Sequence, residues 1–149
     1  MSDHNISLRE VTRETLKSVL ELDVNEKQRK FVASNAKSIA EAHFSKDAWF
    51  RAIYLDDTPI GFAMLSDIPE KAEYFLWRFM IDAQHQGKGF GKSALKLLVE
   101  HVRQRPNAEA FYTSYIKGDH GPEEFYLNFG FSPTGEVDDD GEHLLKIDL

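Results

Sequence analysis

Residues 76–92 have the sequence LWRFMIDAQHQGKGFGK, in which an apolar run passes directly into a loop with three glycines. The aromatic and branched side chains of residues 74–81 predict a β-strand. From Phe90 onward apolar residues recur at helical spacing, so a helix is expected to extend to about Gln104 and to stop before Pro106. This succession of strand, glycine-rich loop and helix decides how the rest of the chain is interpreted.

The loop has the properties of an anion-binding site. The first N–H groups of a helix lack partners within the helix and carry about half a positive charge, and glycines let the backbone approach a phosphate closely. Lys88 and Lys92 add positive charge. A Walker loop would need a glycine where Gln86 stands, and the even spacing of the three glycines does not match a Rossmann fingerprint. A plain turn that caps a helix is the structural alternative, but such a turn needs only one glycine.

The segments on either side predict an alternation of strands and helices. On the N-terminal side the first elements are a strand at 6–11 and a helix that Thr12 caps and that runs toward Leu22, with Leu16, Val19 and Leu20 on one face. One or two helices follow at 25–42, with Ser34 as a cap, and strands at 49–55 and 60–68 form an antiparallel meander with residues 74–81. On the C-terminal side they are a strand at 110–115, a short helix at 123–128 with Pro122 as its first residue, and closing strands at 131–137 and 143–149.

The pattern Gln86-x-x-Gly89-x-Gly91 resembles the Q/R-x-x-G-x-G/A signature of the GNAT superfamily of N-acetyltransferases, and the preceding strand is similar to that superfamily's fourth strand. The resemblance implies a single N-acetyltransferase domain over residues 1–149, with an α+β, α/β/α-layered fold in which helices flank a central mixed, mostly antiparallel sheet. It also implies acetyl-CoA as co-substrate, with the pantetheine arm paired to strand backbone and the pyrophosphate held by loop N–H groups. The cofactor-binding residues implied in this way are Phe79, Met80, Ile81, Gln86, Gly87, Lys88, Gly89, Phe90, Gly91 and Lys92.

Residues 125–131, FYLNFGF, resemble the F-Y-x-x-x-G-F segment of the same superfamily. The resemblance places Tyr126 beside the thioester sulfur of acetyl-CoA. A departing thiolate has a pKa of about 8.5 and a phenol a pKa of about 10, so Tyr126 is the candidate catalytic acid. An aromatic side chain that only packs beneath a short helix is the alternative, and Phe125, Phe129 and Phe131 are interpreted as core residues.

The loop before this helix departs from the superfamily pattern. Many members carry an asparagine there that touches the cofactor, whereas residues 117–122 of this chain are KGDHGP. Asp119 and His120 both remain candidates for that contact.

The acceptor must be a neutral amine, because a protonated amine has no lone pair with which to attack a carbonyl. Deprotonating a primary amine of pKa about 10.4 costs about 4–5 kcal/mol at neutral pH, so the site needs a base or must bind the neutral minority. Glu41, Glu73 and His120 are candidates for the base, each with an ordinary surface role as the alternative. The superfamily selects acceptors with its first helices and fourth strand, which makes Glu41, Glu73 and Trp77 the candidate substrate-binding residues, with Glu21, Asp23 and Glu26 in the same region.

Three segments, FVASNAKS at 31–38, WRFMID at 77–82 and TSYI at 113–116, are similar to bacterial spermine/spermidine acetyltransferases. This similarity implies a small polycationic amine such as spermidine or spermine as acceptor. Acetylation of another small amine or of a protein N-terminus is a second hypothesis, and a non-catalytic module that senses acetyl-CoA is a third. The presence of Tyr126 favours catalysis, because binding of a pyrophosphate needs no phenol.

The composition narrows the remaining function classes. A net charge of −7 argues against nucleic acid as a partner, and residues 119–149 hold nine acids and one base, either as a solvated tail or as a rim that attracts a cation. The absence of cysteine excludes disulfides, a thiolate nucleophile and a thiolate metal site in the protein, and the histidines show no metal-ligand spacing, so no metal is predicted. No run approaches the roughly 18 apolar residues of a membrane span, and residues 1–5 lack a signal-peptide pattern. A cytoplasmic location without a membrane partner is therefore expected, and a homodimer is left open.

Overall fold

The computed structural model describes residues 5–149, which form a seven-stranded sheet with the strand order β1-β2-β3-β4-β5-β7-β6. The strands are β1 (Ile6–Arg9), β2 (Ala48–Leu55), β3 (Thr58–Ile68), β4 (Glu73–Ile81), β5 (Ala110–Tyr115), β6 (Ser132–Val137) and β7 (His143–Asp148). The helices are α1 (Leu16–Leu20), α2 (Asn35–His43), α3 (Phe90–Arg103) and α4 (Glu123–Phe129). The expectation for residues 1–5 falls outside the described part of the chain, apart from Asn5.

The sheet is mixed and mostly antiparallel, which confirms the predicted α+β class. Every described strand pair is antiparallel except β4–β5. β3 lies between β2 and β4, and its residues 60–65 are buried, as expected for a continuous apolar run in a central strand. β3 begins at Thr58, two residues earlier than predicted, because Asp56 adopts a left-handed φ of 52° and turns the chain tightly.

Helix α1 is shorter than the sequence predicts. Thr12 was predicted to cap it, but its N-cap residue is Thr15, and Thr12 and Thr15 hydrogen-bond each other in a turn that precedes the helix. Of its predicted apolar face only Val19 is buried, while Leu16 and Leu20 are 36% and 41% exposed. The apolar residues recur at helical spacing, but the helix has only five residues and buries only one of them.

The two other predicted helix starts have different outcomes. Ser34 caps α2 as predicted, since its side chain accepts the N–H of Lys37 at 3.1 Å. Pro122 is the N-cap residue of α4 instead of its first helical residue, and α4 extends to Phe129 before Gly130 ends it.

Apolar clusters lie on the two faces of the sheet and account for its layered arrangement. One, the α3 cluster, contains Leu95 and Leu98 of α3 together with Leu65 of β3. The other, the α1–α2 cluster, contains Val19 of α1 and Met64 of β3, with side chains of α2 packed against it. Because successive residues of a strand point to opposite faces, β3 supplies both clusters.

The parallel pair β4–β5 is short and then opens. The two strands pair only at Phe75 with Tyr112 and at Leu76 with Thr113. Beyond that point β4 is hydrogen-bonded to β3 alone, and a register shift after Met64 leaves Trp77 as an extra residue in β4. The edge of β4 from residue 77 to residue 81 therefore faces a gap in the sheet.

Gly61 sets how closely β3 can approach the end of β4. It pairs with Ile81, and a Cβ atom built on it would overlap the carbonyl oxygen of Met80. We expect Gly61→Ala to lower the free energy of unfolding by about 1–3 kcal/mol, as overpacking does elsewhere, when measured by urea denaturation. Thr58→Ala, at the exposed start of the same strand, is the control, and equal stability of the two variants would contradict this packing.

Candidate active site

The gap between β4 and β5 is the centre of a cavity of about 790 Å³. Trp77 of its lining packs with the α1–α2 cluster, whereas Phe79 and Phe125 pack with the α3 cluster. The cavity is thus lined from both faces of the sheet. The exposed edge of β4 can pair with an extended ligand as another strand would.

The glycine loop lies at one end of this cavity and takes the conformation that its composition predicts. Gly87 and Gly89 have φ values of +76° and +85°, and Gly89 is the N-cap of α3. A Cβ atom at either glycine would meet nothing within 4 Å, so there is space for a side chain. Glycine is favoured at both positions because the backbone is left-handed. Gly91 is different, because a Cβ atom would lie 3.4 Å from the Phe125 ring.

Eight of the ten predicted cofactor-binding residues line the cavity. They are Phe79, Met80, Ile81, Gln86, Gly87, Gly89, Gly91 and Lys92. Lys88 is exposed and does not line it, and Phe90 is buried in the α3 cluster at 5% exposure. Phe90 is buried because it lies on the same apolar face of the amphipathic helix α3 as Ala94.

Gln86 and Asp82 fix the loop to its surroundings. The Gln86 side-chain amide donates to the carbonyl oxygen of Ile81 at 2.8 Å and to the side-chain oxygen of Gln28 at 2.8 Å. The Asp82 carboxylate accepts the N–H of Asp23 at 3.0 Å. The end of β4, the glycine loop and the segment before α2 are therefore held as one framework.

Tyr126 is buried in the wall of the cavity, with 6% of its surface exposed. Burial raises the pKa of its phenol to about 12, against a smaller lowering by a hydrogen bond with the Thr113 side chain. The Thr113 hydroxyl in turn donates to the carbonyl oxygen of Leu76 at 3.2 Å. Leu76 and Thr113 form the last β4–β5 pair, so the phenol lies where the strands separate.

A second phenol, that of Tyr115, also lines the cavity but is already engaged. It donates to the Glu123 carboxylate at 2.8 Å, and its pKa is raised to about 12 by burial and by that carboxylate. Its ring stacks on His143 at a centroid distance of 5.4 Å. Tyr115 thus joins β5 to α4 and β7.

The loop that lacks the superfamily's asparagine closes the cavity by packing on Phe31. Cβ atoms built on Gly118 and Gly121 would lie 3.0 Å and 3.2 Å from the Phe31 ring. The ring can pack this closely because neither residue has a side chain. His120 has a φ of +67° and lines the cavity, whereas Asp119 does not. Of the two candidates for the missing asparagine's contact, only His120 lines the cavity.

The predicted acceptor-side residues are only partly brought together. Trp77 lines the cavity, but Glu41 and Glu73 do not. The Glu41 carboxylate pairs with Arg78 at 2.8 Å, and Glu73 is exposed at the first residue of β4, remote in sequence from the open edge.

Glu142 is a cavity residue that the sequence analysis did not single out. It is the one carboxylate that lines the cavity within residues 5–149, beside five cations: Arg29, Lys30, Lys37, Arg78 and Lys92. It belongs to the acidic turn before β7, and no spacing rule links that turn to β5. Only the pairing of β5 with β7 brings it to the site.

The acidic turn before β7 brings three carboxylates close together. Carboxylate oxygens of Asp138, Asp140 and Glu142 lie within 4.8 Å of one another, a group that could hold a metal ion and that contains no histidine. In residues 5–149 no helix combines the length and the apolar character needed to cross a membrane.

Comparison with known proteins defines the class to which this fold and cavity belong. Residues 13–131 match the model of the acetyltransferase (GNAT) family, and the chain belongs to that family. It is therefore an N-acetyltransferase, as the glycine signature implied.

Individual relatives agree with this assignment. The chain is 30% identical to the spermine/spermidine N(1)-acetyltransferase of Bacillus subtilis strain 168 over 97% of this chain and 99% of that one. In fold it is similar to the PaiA N-acetyltransferase of Thermoplasma acidophilum solved with coenzyme A, with a TM-score of 0.71, 20% identity and complete coverage of both chains. An acetyltransferase of Thermus thermophilus superposes with a TM-score of 0.77 at 16% identity, covering 99% of this chain and all of that one.

Proposed function

We propose that this protein transfers the acetyl group of acetyl-CoA directly to a primary amine while both substrates are bound. The observation that carries the proposal is the gap between β4 and β5, which has the glycine loop at one end and the buried phenol of Tyr126 in its wall. In this proposal residues 1–149 are one N-acetyltransferase domain that acts in the cytoplasm.

In this proposal the donor lies along the open edge of β4. The pantetheine arm pairs with the backbone of Phe79 and Ile81, and the pyrophosphate accepts N–H groups at the start of α3. The proposed set of donor contacts is Phe79, Met80, Ile81, Gln86, Gly87, Lys88, Gly89, Phe90, Gly91 and Lys92, where Phe90 and Lys88 contribute backbone only. The lysines of the lining, Lys30, Lys37 and Lys92, suit a ligand whose three phosphates carry about four negative charges.

Tyr126 is the proposed catalytic residue. The amine nitrogen forms the new C–N bond, the C–S bond breaks, and the sulfur leaves with the electron pair. With a pKa of about 12, the phenol stays protonated and donates a hydrogen bond to the sulfur. Full proton transfer to a thiolate of ordinary pKa about 8.5 would be uphill, but burial raises the pKa of that thiolate as well. The proton given up by the amine balances the one that the thiol gains.

A polyamine is the proposed acceptor. Support comes from the near full-length similarity to the Bacillus subtilis spermine/spermidine N(1)-acetyltransferase and from the negative charge of residues 119–149. Trp77, from the α1–α2 face of the cavity, is proposed to contact the acceptor chain.

The first test is release of free thiol from acetyl-CoA by the purified protein. We expect turnover with spermidine and spermine well above that with unrelated amines such as an amino acid or an aminoglycoside. Turnover confined to another amine would keep the chemistry and discard the polyamine assignment. Tight acetyl-CoA binding without turnover on any amine would contradict the proposed catalysis.

Tyr126→Phe removes the phenol while keeping the ring that packs against Phe131. We expect kcat to fall by about 10²-fold, the lower range for loss of a general acid, with little change in acetyl-CoA affinity. Tyr115→Phe removes the other phenol of the cavity wall and should cost at most a few-fold. Equal effects of the two variants, or full activity of Tyr126→Phe, would remove Tyr126 from the chemistry.

The pH profile provides a separate check on the Tyr126 phenol. Because its pKa is raised to about 12, it remains protonated throughout the working range. The ratio of wild-type kcat to Tyr126→Phe kcat should therefore stay constant from about pH 7 to about pH 10, more than one unit below that pKa. A ratio that falls toward one within this range would mean that the phenol ionises there.

A further inference from the structure

We propose that Glu142 is the specificity-determining residue that binds the non-reacting ammonium group of the acceptor. This inference rests on the proposed function and names the part of the site that distinguishes a diamine from a monoamine. Its basis is the position of Glu142 as the one carboxylate in the described cavity lining.

Glu142 lies on the face of the sheet opposite Tyr126. Thr113, which hydrogen-bonds Tyr126, shares a strand face with Phe111 of the α3 cluster. Ser114 follows Thr113 and so points to the α1–α2 face, where its hydroxyl donates to the Glu142 carboxylate at 2.7 Å. Tyr126 and Glu142 thus contact consecutive residues of β5, Thr113 and Ser114, from opposite faces of the sheet.

The carboxylate of Glu142 is held in place before any ligand arrives. The Glu142 N–H donates to the Asp138 carboxylate and its carbonyl oxygen accepts the Asp138 N–H, each at 2.9 Å. The side chain is fixed by Ser114 and is only partly exposed. A carboxylate oriented in advance loses little entropy on binding, and its partial burial strengthens attraction to an ammonium.

The surrounding charges favour a cation at this point once the donor is bound. Arg78 and Arg29 are already paired with Glu41 and Asp23, and the donor's phosphates would offset the remaining lysines. Oxygens of Asp138 and Asp140 lie within 4.8 Å of the Glu142 carboxylate, which makes the local potential more negative. In this proposal the second ammonium of a diamine binds here while its first amine is at the thioester.

The test compares 1,4-diaminobutane with butylamine, which has the same carbon chain and one amine fewer. For Glu142→Gln we expect kcat/KM with the diamine to fall about tenfold or more through KM, as expected for loss of one charge-assisted hydrogen bond, while kcat/KM with butylamine stays unchanged. Asp139→Asn removes one charge from the same turn without touching the cavity and should change neither value. Ser114→Ala, which frees the carboxylate, should shift KM for the diamine in the same direction but less.

An unchanged KM for the diamine in Glu142→Gln would overturn the assignment. An equal loss of kcat with both amines would also overturn it, because it would indicate a base or a structural role. Absence of turnover by the wild-type protein with every amine would contradict the proposed function itself, which separates that failure from failure of the Glu142 assignment.

Discussion

The separation of β4 from β5 after the Leu76–Thr113 pair is the constraint on which the rest of the site depends. Strands that stayed paired would satisfy the backbone of residues 77–81 and leave no room for a ligand. Because they diverge, β4 keeps an open edge, and the gap joins the two faces of the sheet. The Thr113 hydroxyl donates to the carbonyl oxygen of Leu76 in the last pair, and the Tyr126 phenol lies beside this threonine, so the proposed acid stands where the strands separate.

The two faces of the sheet supply different chemistry to this gap. The α3 face provides the helix N-terminus, the glycine loop and the buried phenol, which suit an anionic thioester donor. The α1–α2 face provides Trp77, Ser114 and Glu142, which suit an elongated cation. The proposed direct transfer needs both substrates at once, and a cavity lined from both faces of the sheet offers each substrate its own side.

The sequence predicted the elements whose signals are local. The amphipathic pattern of α3, the Ser34 cap and the meander follow from periodicity and capping rules, and all appear in the structure. The start of α1 was misplaced because Thr12 satisfies the backbone in a turn instead of a helix. Glu142 was missed for another reason, since its contact with Ser114 spans 28 residues and depends on strand pairing that no local pattern encodes. Glu41 was a candidate for the base and for acceptor binding, but its carboxylate forms an ion pair with Arg78.

Amide hydrogen exchange at residues 77–81, measured with and without coenzyme A, tests the central claim most directly. If the donor pairs with the open edge of β4, exchange there should slow on binding, while exchange in β2 (Ala48–Leu55), which already has strands on both sides, should change little. Protection confined to the glycine loop, with residues 77–81 exchanging as in the free protein, would contradict a donor that lies along β4.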